Sequence, residues 1–154
     1  IIALQLLPGR PSTSANIKIH GAGTTVQTNM PENANPFYFY GTDLPLLDEL
    51  VKADERFGAV LDARLPFIKA QVVLAVRREM AMTVEDVLAR RFRALFLDAE
   101  AACRMAPETA RLMAAELGLD EHWQARQVSE FLELAEGYGG EGERVRGWEG
   151  GRRG

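Results

Sequence analysis

Five arginines, Arg77, Arg78, Arg90, Arg91 and Arg93, are the side chains in this sequence best suited to polar recognition. A guanidinium group grips a carboxylate or a phosphate through two parallel hydrogen bonds, and two antiparallel helices could bring these five together near one end. There they would clamp a phosphate or an acidic partner surface, with Arg77, Arg90, Arg91 and Arg93 as candidates for an interdomain interface. The local alternative is that basic residues late in a helix offset its macrodipole, helped by Asp86 standing four residues before Arg90.

Other chemistry finds little support. His20 and His122 lie far apart, and neither stands beside Cys103 or an acidic cluster at zinc-ligand spacing, so no metal ligand is assigned. Ser12, Ser14 and Ser129 lack a nucleophile elbow, and Cys103 sits in an alanine-rich stretch where a small buried hydrophobe is the usual role. The run His20-Gly21-Ala22-Gly23-Thr24-Thr25 contains G-x-G but no third glycine, no amphipathic helix after it and no phosphate-loop lysine. It reads as a turn. No catalytic and no cofactor-binding residue is assigned.

The elements that would position the arginines follow from periodicity and punctuation. Thr42 or Asp43 caps a first helix, with Pro45 in its first turn and Leu46, Leu47, Leu50 and Val51 on one face, ending near Asp54. Leu65 to Met82 reads as a core helix with its entry loop, carrying Ile68, Val72, Val76 and Met80 at intervals of four. Thr83 and Asp86 form a capping-box pattern that starts the next helix, and Leu95-Phe96-Leu97 follows as a buried run. Asp98 caps a further turn through Met105, Pro107 opens a new helix that closes at Gly118, and Asp120 caps the last. That last helix presents Trp123, Gln127, Val128, Phe131, Leu134, Ala135 and Tyr138 on one face.

Such short loops force neighbouring helices to pack together, so the expected fold is all-α, a bundle of about five short helices. Before it, residues 1–41 form an irregular linker rich in Pro, Gly, Ser, Thr and Asn, with a short extended segment at Asn16 to Gly21 and an aromatic docking patch at Phe37 to Tyr40. The helical domain spans 42–138, and residues 139–154 form a disordered Gly-rich tail.

Hydrophobic residues make up 47% and charged residues 26% of the 154, the balance of an ordinary globular chain. The net charge of −4 is uneven, with the arginine-bearing segment 67–106 at +2 and 107–138 at −5. That is too little positive charge for a nucleic-acid binder. A single cysteine points to a reducing compartment, the cytoplasm, and the apolar start Ile1 to Leu7 suits a chain cut from a longer one better than a signal peptide.

Three ordered stretches, Ala75 to Ala81, Thr83 to Arg91 and Arg93 to Ala99, resemble the C-terminal helical domain of FAD-dependent, quinone-linked glycerol-3-phosphate dehydrogenases. The likeness continues through Ala106-Pro107, Met113 to Gly118, Gln127-Val128 and Phe131, and more weakly through Asn16 to Gly21 and Tyr40 to Asp43. Departures fall at Phe67, Gln71 and Phe92, where that family usually carries Tyr, an acidic residue and Thr. The resemblance implies a parent enzyme that oxidises glycerol 3-phosphate to dihydroxyacetone phosphate at the inner face of a membrane, passing electrons through FAD to a quinone. It places FAD in an N-terminal domain missing here, which becomes the expected partner, with membrane contact only through the parent. A free-standing interaction module, dimerising through Phe37 to Tyr40, is the alternative.

Overall fold

The computed structural model describes residues 14–17 and 37–138. The chain divides into two compact units between Pro45 and Leu46, and the helical bundle belongs to the second. In the first unit a 3-10 turn covers Ser14–Asn16, so Asn16 does not begin an extended segment, and Lys18 to Gly21 lie outside the described residues. A second 3-10 stretch, Tyr38–Asp43, brings the rings of Phe39 and Tyr40 to 4.7 Å. The G-x-G run and the tail from Gly139 also lie outside the described residues.

Helix α1 spans Leu44–Ala53, starting directly after Asp43, the second of the two expected caps, and burying Leu47. Asp54 accepts from the Arg56 amide at 3.0 Å and turns the chain into the 3-10 stretch Glu55–Gly58. Two strands follow, β1 (Val60–Asp62) and β2 (Leu65–Ile68), paired antiparallel with a register irregularity between Val60 and Asp62. The entry loop expected ahead of the core helix is therefore a strand, and Ile68, expected on the helix face, is its last residue. Pro66 is the physical reason, because its ring holds Leu65 in the extended region and its missing N–H suits an edge strand.

Helix α2 (Lys69–Glu79) starts where the Gln71 side chain accepts from the Ile68 amide at 2.8 Å. Six consecutive residues, Ala70 to Ala75, are buried, so this helix is covered on nearly all sides at its start. Met80 does not continue its core stripe. It takes a left-handed conformation (φ 57°) just past the helix end and is 84% exposed, while the Ala81 amide reaches back to the Ala75 carbonyl at 3.0 Å. That is a helix stop of the kind usually given to glycine.

The Thr83–Asp86 capping box forms as expected, with the Asp86 amide donating to Thr83 Oγ1 and the Thr83 amide donating to Asp86, each at 3.1 Å. The helix it opens widens into a π-helical segment over Asp86–Arg91, closed by the Phe92 amide donating to the Val87 carbonyl. Val87, Leu88 and Ala89 within it are all buried, so the segment is covered on more than one side. Phe92 then stacks on Phe67, ring centroids 4.6 Å apart. Two departures from the resemblance thus meet as an apolar ring pair.

A short helix α3 (Ala94–Leu97) buries only one of the three residues expected as a buried run: Leu95 faces inward beside Ala94, but Phe96 and Leu97 are 63% and 66% exposed. One turn of helix points adjacent residues about 100° apart, so four in a row cannot share one face. Helix α4 (Ala99–Leu117) begins at the Asp98 cap and ends at Gly118, and it runs straight through Pro107 rather than restarting there. Its buried residues Ala102, Met105, Ala106, Thr109, Ala110 and Met113 keep one phase across the proline, so the same core holds both halves together. Helix α5 (Glu121–Glu136) starts at the Asp120 cap and buries Gln127, Phe131 and Ala135 of its expected face, leaving Tyr138 exposed beyond its end.

The expected all-α bundle is therefore present, with a small hairpin added. Helix α4 is its axis, packed against α2, α3, α5 and β1. Thr109 sits on it fully buried with a hydroxyl that finds no hydrogen-bond partner among the described residues. An unpaired buried hydroxyl costs about 1–3 kcal/mol. Thr109→Val, nearly the same shape, is expected to raise the midpoint of urea unfolding by the equivalent of about 1 kcal/mol, and a drop in that midpoint would show a partner for the hydroxyl.

Candidate functional site

The arginine group is built by the end of α2, the π-helical segment and the start of α3, and each member meets a different environment. Arg77 on α2 forms a bidentate pair with Glu116 on α4, Nε and Nη2 donating at 2.6 and 2.8 Å. Arg90 reaches Glu85 at 2.8 Å and Asp86 at 3.1 Å, making the pairing with Asp86 anticipated from spacing. Arg91 turns back over the connection. Its Nη1 donates to the Asp86 carbonyl at 2.9 Å, its Nη2 to the Glu79 carbonyl and its Nε to the Glu79 carboxylate at 3.1 Å.

Arg93 differs from these three. It is exposed, sits at φ 55° ahead of α3, and offers its carbonyl to the amides of Phe96 and Leu97, while its side chain has no partner among the described residues. Arg78 is likewise exposed and unpaired among them. With Arg77 and Glu49 it lines an open cleft of about 270 Å³ between α1 and α2, whose apolar lining is Leu46, Leu50, Ala53 and Leu74. Arg77, Arg90 and Arg91 are thus spent largely on internal carboxylates and carbonyls.

The pairing of Arg77 belongs to a longer pattern. Along α4, Glu100 meets Arg64, Arg104 meets Asp62, Glu108 meets Lys69 and Glu116 meets Arg77, at 2.6 to 2.8 Å. Positions 100, 104, 108 and 116 fall on one i+4 row, which winds around the helix, and this stripe borders the hairpin and then α2. The spacing was visible in the sequence, but the partners were not, because they lie 36 to 42 residues away for the three pairs Arg64–Glu100, Arg77–Glu116 and Arg104–Asp62.

A second residue that spacing alone could not single out is Gln127. It stands on the core face of α5, 5% exposed, and its Oε1 accepts from the buried Val84 amide at 3.1 Å while its Nε2 donates to Glu130 at 2.6 Å. An amide on a core face was the available signal, since a buried polar side chain must find partners.

The carboxylates carry the strongest electrostatic perturbation. Arg111 holds Glu108 down from 4.5 to about 2, with Lys69 adding to it and burial opposing it. Burial pushes Asp86 up, but the amides of Met82 and Thr83, the Thr83 hydroxyl and Arg90 together bring it below the usual carboxylate range. Burial pushes the Cys103 thiol up, which disfavours the reactive thiolate. Among the described residues no three His, Cys, Asp or Glu side chains are placed to hold a metal ion.

Two outcomes test these assignments. Because the folded pKa of Glu108 lies below its unfolded value, the stability it contributes is complete above pH 4.5 and is lost as pH falls toward 2. Allowing for solvent at this stripe, Glu108→Gln should flatten the stability profile by about 1–2 kcal/mol over that interval in pH-dependent denaturation; an unchanged slope would detach Glu108 from acid unfolding. Arg91→Ala should cost about 2 kcal/mol by releasing the Glu79 and Asp86 carbonyls and the Glu79 carboxylate, whereas Arg93→Ala should lie within about 0.5 kcal/mol of the parent chain. Equal effects would contradict the division drawn between them.

Comparison with known proteins gives a consistent set of relatives. The family model described as the C-terminal domain of alpha-glycerophosphate oxidase matches residues 12–124. A probable mitochondrial glycerol-3-phosphate dehydrogenase of Caenorhabditis elegans is 40% identical over 78 residues, 51% of this chain and 10% of that protein. Its counterpart in Dictyostelium discoideum is 29% identical over 112 residues, 71% of this chain and 17% of that protein. The mitochondrial glycerol-3-phosphate dehydrogenase of Macaca fascicularis is 34% identical over 84 residues, 53% and 11% respectively. The matched regions cover only 10 to 17% of the length of these relatives. No solved structure matches the chain significantly.

Proposed function

The chain belongs to the family of the C-terminal domain of alpha-glycerophosphate oxidase, and from that premise we propose that it is the accessory helical domain of a longer FAD-dependent glycerol-3-phosphate dehydrogenase. The observation that carries this reading is the continuous family match over 12–124, joined by relatives whose names agree on one activity. In the proposed parent, glycerol 3-phosphate is oxidised to dihydroxyacetone phosphate, and electrons pass through FAD to a quinone.

The described residues do not fit a flavin cradle. A dinucleotide site needs a parallel β-α-β unit with a glycine-rich turn at a helix N-terminus, and the sheet described here is a two-stranded antiparallel hairpin. FAD and substrate are therefore assigned to the remainder of the parent, and this domain to packing on it and holding it folded. The arginines support a structural role, because Arg77, Arg90 and Arg91 already close contacts within the bundle. Among the described residues no helix is long and apolar enough to cross a membrane, and the reading leaves contact with the inner membrane face to the rest of the parent.

The test is to express the longer polypeptide with and without this domain. The complete protein should carry a flavin spectrum and reduce a quinone analogue with glycerol 3-phosphate. The 154-residue chain alone should do neither, and deleting it should lower the thermal midpoint of the flavin-bearing remainder by several degrees. Turnover by the isolated chain, or a remainder equally stable without it, would refute the proposal.

A further inference from the structure

Helix α3 presents an apolar ridge that the bundle itself does not cover. Phe96 and Leu97 are each nearly two-thirds exposed, and Phe96 meets Tyr138 edge to face with ring centroids 5.2 Å apart. Their neighbours Ala94 and Leu95 are buried at 0% and 2%, so the ridge stands on a fixed base. With roughly 200 Å² for each large side chain, the three together leave on the order of 350 Å² of side-chain surface in water. That is the size of the largest apolar patch on a typical monomer, which is often a binding surface, and it matches one side of a small interdomain contact.

We propose that the ridge formed by Phe96, Leu97 and Tyr138 is the surface on which the remainder of the same longer polypeptide packs. The inference rests on the proposed parentage and deepens it by naming the docking face. Three observations support this assignment, the first selecting the occupant and the other two the face. The regions matched in the relatives are at most 17% of their length, so most of the polypeptide lies beyond the matched domain, and the family is that of a C-terminal domain. Covalent attachment presents that remainder at millimolar effective concentration, so even a modest patch is occupied.

The second observation is charge. Arg93 stands immediately before α3 without a side-chain partner among the described residues, available to a carboxylate on the opposing surface. Thirdly, Arg77, Arg90 and Arg91 would have to surrender carboxylates already within 3.1 Å to serve as the contact. Phe96 and Leu97 would surrender only water, which makes α3, rather than the expected arginine group, the centre of the interface, with Arg93 the one arginine retained at its edge.

Hydroxyl-radical footprinting of the longer polypeptide and of the 154-residue chain tests this directly. Phe96 and Tyr138 should be modified at least fivefold more slowly in the longer polypeptide, while Met80, exposed at a different loop, serves as the reference. Phe96→Glu should leave the melting temperature of the 154-residue chain unchanged but split the single transition of the longer polypeptide into two, with Phe96→Leu preserving one. Equal labelling in the two contexts, or an unsplit transition with Phe96→Glu and a split one with Arg90→Glu, would overturn the docking face while leaving the parentage intact. Protection that appears in the 154-residue chain as its concentration rises would instead assign the ridge to a second copy and overturn the proposal. A longer polypeptide without a flavin spectrum would remove the parentage, and the inference with it.

Discussion

The bundle depends on a single constraint: α4 must be approached by α2, α3, α5 and β1 at once. A helix surrounded this way can carry little bulk. Ala101, Ala102, Ala106, Ala110 and Ala114 meet that condition, all at 1% exposure or less, and they let the backbones of neighbouring elements come close. The larger side chains that fill the remaining space, Met105, Met113, Phe131, Leu88 and Val87, come from α4 itself and from its neighbours in alternation with the alanines. The hydrophobic effect supplies the drive to cover α4, but a stripe of alanines gives little grip on register.

Register comes from the charged stripe. The pairs formed by Glu100, Arg104, Glu108 and Glu116 connect α4 to the hairpin and to α2 along most of its length. Half-exposed ion pairs contribute little stability individually, yet a shift of α4 by one turn would mispair all four, so their combined effect is on alignment. Arg104 with Asp62 and Arg64 with Asp98 and Glu100 hold the hairpin over the start of α4, which explains how two very short strands persist beside a helical core.

The sequence reveals those features that are decided locally. Asp98 and Asp120 do cap α4 and α5, Thr83 and Asp86 do form their box, and Gly118 does stop α4, because each is a bargain between a side chain or backbone and amides a few residues away. Features decided by distant neighbours read less well. Pro107 reads as a helix start because a proline is normally tolerated only there, but the core on both sides of it keeps one helix going. Leu65–Ile68 became a strand because β1 was present to pair with it, and Phe96 and Leu97 point outward because α3 is only one turn long. The arginines are legible in the sequence as a group of bidentate donors, and spacing also gives the Asp86–Arg90 pair. Their carboxylate partners were hidden by separations of up to 39 residues for Arg77 and 12 for Arg91.

The connection between α2 and the π-helical segment has one more consequence. Its four consecutive amides, Ala81 through Val84, are all engaged: with the Ala75 carbonyl, twice with the Asp86 carboxylate, and with Gln127 on α5. Arg91 clasps its two ends from the outside. A segment so fully committed is a stiff joint rather than a hinge, despite the exposed methionines Met80 and Met82 on it. Displacing α5 would pull on Val84 through Gln127 and load the end of α2, so the bundle should respond to a pull on either helix as one lever.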